Sequence, residues 1–201
     1  MDKTEMIRID DAIISNENKL QYLEFHETIF NTIKETYCYI FYIEGMKEFF
    51  GSPYQCKRFS FELFFKDILL ILKQKICMNI WKLLFDKGNN ALSIYQMKKF
   101  VVNNFKVQIN RKNIKVPTML EKNITGIRNV YLSHNLSSET CYTVNALGLK
   151  PLLDEIYAYF RNLWIGNFVD EHLFVSDDYF EFLEPVYKNS VKDAFKGIQL
   201  K

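Results

Sequence analysis

Residues that interrupt helices are scarce in this sequence. Its 201 residues include seven glycines and four prolines, too few turn formers for the many short strands of a sandwich or barrel. Net charge is lacking too: the balance is +2, so composition alone names no polyanionic partner. The four cysteines, Cys38, Cys56, Cys77 and Cys141, lie far apart. Without a Cys-x-x-Cys pair or a Cys/His cluster, zinc-binding modules are set aside, and no metal or other cofactor is expected. Cys38 and Cys77 fall in apolar helical runs and are expected to be buried free thiols, which suits a reducing, cytoplasmic setting. The greasiest stretch, Phe59 to Phe85, is broken by Lys66, Asp67, Lys73, Lys75 and Lys82, so it is not expected to cross a membrane as one helix. Met1 to Glu5 show no signal-peptide pattern. A Gly-rich phosphate loop and a Gly-x-Ser-x-Gly elbow are both missing, which sets aside P-loop and α/β-hydrolase chemistry.

Core material, by contrast, is plentiful. Apolar residues make up 48% and aromatics 16%, enough at this length for one well-filled core. The expectation is an all-α protein of one domain over residues 1–201. Its core, about 17–165, would be an antiparallel bundle of about five helices, followed by short C-terminal helices in an acidic extension, 166–201.

Hydrophobic periodicity places the helices. Leu23, His26, Phe30, Ile33, Tyr37 and Ile40 recur at steps of three and four and predict one long helix over ~17–50. Gly51-Ser52-Pro53 ends it. A second helix is predicted from about Phe61 to Asp86. Its apolar face (Phe61, Phe64, Phe65, Ile68, Leu72, Ile76, Ile80, Leu83, Leu84) is broad enough to place it at the centre of the bundle. Ser93-Ile94-Tyr95-Gln96 has the pattern of a capping box and predicts a short third helix that fades near Asn103. A basic loop is expected over 105–117. Thr118-Met119-Leu120-Glu121 repeats the capping pattern and begins a fourth helix. Gly126 within it costs roughly 1 kcal/mol of helix propensity, a cost that close approach of another backbone would explain. A fifth helix begins near Gly148–Pro151 and buries Leu149, Leu152, Leu153, Ile156, Phe160, Leu163 and Trp164. One or two short helices are expected between Asp177 and Lys196.

Charge is segregated along the chain. Lys98 to Lys122 holds seven basic residues against Glu121, a net +6, whereas Asp154 to Glu184 holds eight acids against Arg161, a net −7. Two readings stand level: solvated or mutually pairing faces, or a basic segment that attracts a polyanion through Lys106, Arg111, Lys112 and Lys115.

That basic segment leads into Ile127-Arg128-Asn129-Val130-Tyr131-Leu132-Ser133-His134, which contains one of only three histidines in the chain. Arg128 presents a planar, permanently charged fork suited to phosphate. A neutral imidazole at His134 can take a proton from a ribose 2′-hydroxyl, and an imidazolium can return one to a leaving 5′-oxygen. On one continuous helix the two residues are separated by about 9 Å of rise and about 120° of rotation. They therefore converge poorly within one copy, and a second copy packed across a twofold axis would bring both pairs into one cleft. The bland reading is a packed core histidine and an arginine at a helix end. His26, on the apolar stripe of the first helix, is expected to be core rather than ligand. Asp170-Glu171-His172 is expected to be a surface turn. Tyr37, Tyr39, Phe41 and Tyr42 are expected to be a core aromatic cluster rather than a base-stacking surface.

The Arg128-Asn129-x4-His134 spacing resembles the motif of the HEPN superfamily. Ile80-Trp81-Lys82-Leu83-Leu84-Phe85-Asp86 and Ala91-Leu92-Ser93-Ile94, in that order before Ile127 to His134, are similar to the AbiU-type abortive-infection branch. The likeness covers roughly 17–165. It implies an all-helical homodimer cutting RNA without metal to leave a 2′,3′-cyclic phosphate. Arg128 would be the phosphate clamp, Asn129 a polar orienter and His134 the general acid or base. It also implies a role in phage defence or as a toxin, with an antitoxin or regulatory protein as a further partner. The alternative is a non-catalytic relative of the same fold that binds RNA or protein.

Overall fold

The computed structural model describes residues 7, 9, 14–50, 59–88, 91–109, 111–133, 142–166, 168 and 179–195, with 59–62 and 131–133 as backbone only. Over these residues the protein is an all-α bundle. Its helices are α1 (Asn16–Phe50), α2 (Phe59–Leu84), α3 (Ile94–Phe105), α4 (Thr118–Ser133), α5 (Lys150–Arg161, led in by a 3-10 turn at Leu147–Leu149) and α6 (Tyr179–Phe195). The one β element among the described residues is a parallel bridge between Ile7 and Ile165. No helix among them is long and apolar enough to cross a membrane.

The centre of the bundle is α1, not α2 as the breadth of the α2 apolar face predicts. Buried residues run around much of α1, from Tyr22, Phe25 and His26 through Tyr37, Cys38 and Ile40 to Met46 and Phe50. A helix apolar on several faces must be covered on several sides. α2, α3, α5 and α6 all pack on it. On α2 the inner side, Phe65, Ile76, Ile80 and Leu83, is buried, but Leu63, Leu70 and Ile71 remain exposed.

Ring contacts fix the directions. Phe50 meets Phe65 near the start of α2, and Asn79 near its end donates to Glu35 (2.8 Å), so α2 runs antiparallel to α1. His26 meets Phe160 at 5.1 Å and the Tyr37 hydroxyl donates to Asp154 (2.5 Å), so α5 is antiparallel as well. α6 runs with α1: Tyr37 stacks on Phe180 at 4.0 Å and Phe50 packs on Phe195 at 5.0 Å. Between those contacts, Gly45 lets the helices approach closely, since a Cβ there would lie 3.0 Å from the Lys188 Cα.

A fully buried hydroxyl closes the other end. Tyr22 donates to the Leu163 carbonyl (3.1 Å) and accepts from the Ile165 N–H (2.9 Å). It thereby satisfies two backbone groups that the end of α5 leaves free.

Local chemistry departs from expectation in four places. Ser93 is the N-cap residue of α3 but its hydroxyl makes no capping bond; it is buried. At α4 the first acceptor is the Pro117 carbonyl, bonded by the Glu121 N–H (3.0 Å), so Pro117 takes the N-cap position and Thr118 is the first helical residue rather than the cap. Leu163 and Trp164 lie in the turn after α5, whose helix ends at Arg161. The C-terminal segment forms one 17-residue helix rather than short pieces, with Pro185 inside it. Lys188 holds α6 to α1 through Glu44 (3.2 Å) and Glu48 (2.8 Å) and pairs within α6 with Glu184 (2.7 Å), and this network offsets part of the proline's cost.

Cys38 and Cys77 are buried and free, as their apolar surroundings predict, while Cys56 and Cys141 lie outside the described residues. The reason for Gly126 differs from the one predicted. Among the described residues the nearest neighbour is the ring of Tyr142, and an added Cβ would lie 2.4 Å from ring carbons. Asn123 holds the Tyr142 segment in place by donating to the Thr143 carbonyl (2.9 Å). Gly126→Ala should therefore destabilise the protein by about 1–3 kcal/mol despite alanine's higher helix propensity. In a Tyr142→Ala background the same change should be neutral or stabilising by up to about 1 kcal/mol. Denaturant unfolding of the four proteins checks this, and equal effects in both backgrounds would contradict it.

Candidate functional site

Arg128 lies on α4, about 100° around the helix from the buried Ile127. Ile124 and Ile127 seal α4 to the core, and α4 packs on α2, so the Arg128 side chain emerges along the α2–α4 seam. There its guanidinium lies over the Trp81 ring, 4.2 Å from the centroid. Its Nη1 donates to the Asn129 Oδ1 at 2.9 Å. The cation therefore has one aromatic face against it and one nitrogen engaged by an exposed amide. Among the described residues it has no carboxylate partner. Such a cation is pre-oriented toward an anion that the described residues do not supply.

His134 lies outside the described residues, so the structure brings together Arg128 and Asn129 and is silent on the third member of the motif. Trp81 has no role in the sequence reading of this site. The available signal was weak: it is one of two tryptophans and is half-buried, while Trp164 is fully buried.

The four basic candidates separate. Arg111 is built into the fold: its Nη1 donates to the Ala158 carbonyl (2.7 Å) and its guanidinium lies over Tyr159, 5.5 Å from the ring centroid. It serves a carbonyl in the last turn of α5, a natural place for a cation. Lys98 donates to the Arg111 carbonyl (2.9 Å) and fastens the same loop. Lys106 takes the left-handed conformation that ends α3 (φ 57°), and its Nζ returns to the Asn103 carbonyl (2.8 Å). Lys112 and Lys115 remain exposed. Lys98 and Arg111 therefore serve the junction between loop and α5, Lys106 reaches back to α3, and the basic charge free of backbone partners is smaller than the sequence count.

The remaining candidates behave as structural residues where they are described. Tyr37 and Phe41 are buried in the core, Tyr39 donates to Glu35, and Tyr42 packs edge-on against Tyr187. Asp170, Glu171 and His172 lie outside the described residues. Among the described residues no group of three metal-ligating side chains exists.

His26 is a core residue. It sits among Tyr22, Phe30, Phe160 and Trp164, and burial pushes it from 6.5 down to about 4. Between those values the unfolded chain binds a proton that the folded chain refuses, so stability is full above 6.5 and falls as pH drops toward 4. Glu35, Glu48 and Glu184 are held below their ordinary range and so stay mostly ionised down to pH 5. From pH 7 to pH 5 the folded protein should lose about 2 kcal/mol of unfolding free energy, and His26→Phe should lose much less. Urea unfolding at the two pH values measures this; an equal loss in both proteins would assign the effect to another group.

No family model, no curated protein and no solved structure matches the chain.

Proposed function

We propose that the protein is a metal-independent endoribonuclease of the HEPN type, acting as a homodimer in phage defence or in a toxin–antitoxin pair in the cytoplasm. The observation that carries this reading is the Arg128 guanidinium, oriented by Trp81 and Asn129 and lacking an anionic partner among the described residues. A cation held in this way meets the requirement for stabilising charge that develops on phosphoryl oxygens in a transition state.

In the proposed reaction a ribose 2′-oxygen attacks the adjacent phosphorus as the imidazole of His134 takes its proton. The P–O5′ bond breaks, and an imidazolium, the second copy's His134, protonates the leaving 5′-oxygen. The products are a 2′,3′-cyclic phosphate and a 5′-hydroxyl, with no net change in protons or electrons. Arg128 neutralises the non-bridging oxygens, and Asn129 keeps one guanidinium nitrogen in register. Lys112 and Lys115 add long-range attraction for the RNA backbone. The second reading, a non-catalytic module of the same fold that binds RNA or a protein, is favoured by the exposed apolar side chains Leu63, Leu70 and Ile71 on α2.

The test is incubation of mixed cellular RNA and EDTA with the wild type, His134→Ala and Arg128→Ala. The wild type should cut and leave cyclic-phosphate ends, with each variant at least about 100-fold slower. Equal cleavage by all three, or none by the wild type, would overturn the nuclease assignment.

A further inference from the structure

Trp81, on α2, is placed against Arg128. Its indole covers a face of the guanidinium, while the Asn129 amide, from α4, holds one nitrogen at an edge. Either contact alone fixes little. An amide on the next residue leaves the guanidinium free to swing with its own helix turn, and an aromatic face leaves it free to rotate in its plane. Together, from two helices, they define both the plane and the rotation. Tryptophan offers the strongest aromatic face to a cation, and an arginine already ordered loses less freedom when an anion arrives. Nη2 and Nε have no partner among the described residues, and these are donors a phosphate can take as a fork.

We infer that Trp81 is a positioning residue for RNA binding, setting the Arg128 guanidinium so that its remaining N–H edge meets a backbone phosphate; the inference rests on the phosphate-clamp role proposed for Arg128. Trp81 acts through Arg128 and not by stacking on a base. That distinction separates it from the aromatic platforms of single-strand binders, whose rings stack directly on the bases.

The experiment is equilibrium binding of a short, mixed-sequence single-stranded RNA, 2′-O-methylated so that it is not cut. The proteins are the wild type, Trp81→Leu, Trp81→Phe, Arg128→Ala and the Arg128→Ala/Trp81→Leu double variant. Trp81→Leu should weaken binding by about 5- to 10-fold, and Trp81→Phe, which keeps a smaller aromatic face, by less than about 3-fold. With Arg128→Ala already present, Trp81→Leu should add nothing. A loss of the same size with and without Arg128 would show that Trp81 acts on RNA or on the fold directly, and would overturn the inference. Loss with Arg128→Ala but none with Trp81→Leu overturns the positioning role alone. If Arg128→Ala leaves binding unchanged, or the wild type does not bind, the clamp falls as well and takes the inference with it.

Discussion

Burial of α1 is the constraint on which the rest of the structure depends. Tyr22, Ile29, Ile33, Ile40 and Phe41 are all but inaccessible to solvent, and no single neighbouring helix can cover so wide an apolar surface. α2, α3, α5 and α6 therefore each take a sector. Several polar groups at the margins are matched: the Tyr22 hydroxyl to the backbone beyond α5, Tyr37 to Asp154, and Lys188 to Glu44 and Glu48. With α1 enclosed, α4 is left to pack on α2, and this outer position is what leaves the Arg128 side chain at a seam rather than in the core.

Much of this was legible in the sequence because helix existence is a local property. Steps of three and four from Leu23 to Ile40, and Pro151 in the first turn of its helix, located α1 and α5 closely. Elsewhere, long-range packing overrode local signals. The segment from Asp177 to Lys196 reads as one or two short helices, yet α6 runs as a single helix through Pro185 because its apolar face meets Tyr37, Phe41 and Phe50 on α1. Ser93 reads as a cap, yet its hydroxyl is enclosed. The greater apolar breadth of α2 pointed to the wrong central helix, since apolar content records what a helix can bury and not what covers it. Phe64, Leu70 and Ile71 illustrate the difference: they are apolar by type and exposed in place.

The site was legible in part. Sequence spacing brought out Arg128 and Asn129 but carried no information about which residue of α2 would lie against them, because that depends on the rotation of two helices about their axes. Trp81 stood in the sequence only as part of the stretch from Ile80 to Asp86, and its contact with Arg128 entered with the tertiary structure. The same limit governs the basic loop. Arg111 and Lys106 count alike in a sequence tally, whereas packing commits Arg111 to a carbonyl at the end of α5 and Lys106, still exposed, reaches back to one at the end of α3. Lys112 and Lys115 keep their charge available. The electrostatic attraction expected of this face is correspondingly modest and strongly dependent on salt.

The central claim is that Arg128 and His134 meet the same RNA phosphate. It is tested most directly by nuclear magnetic resonance of the arginine side-chain N–H groups and histidine rings during titration with a 2′-O-methylated RNA. The account predicts that the Arg128 and His134 signals shift together, at the same RNA concentration, while His26 in the core stays still. Shifts confined to the surroundings of Lys112 and Lys115, with Arg128 and His134 unmoved, would contradict it.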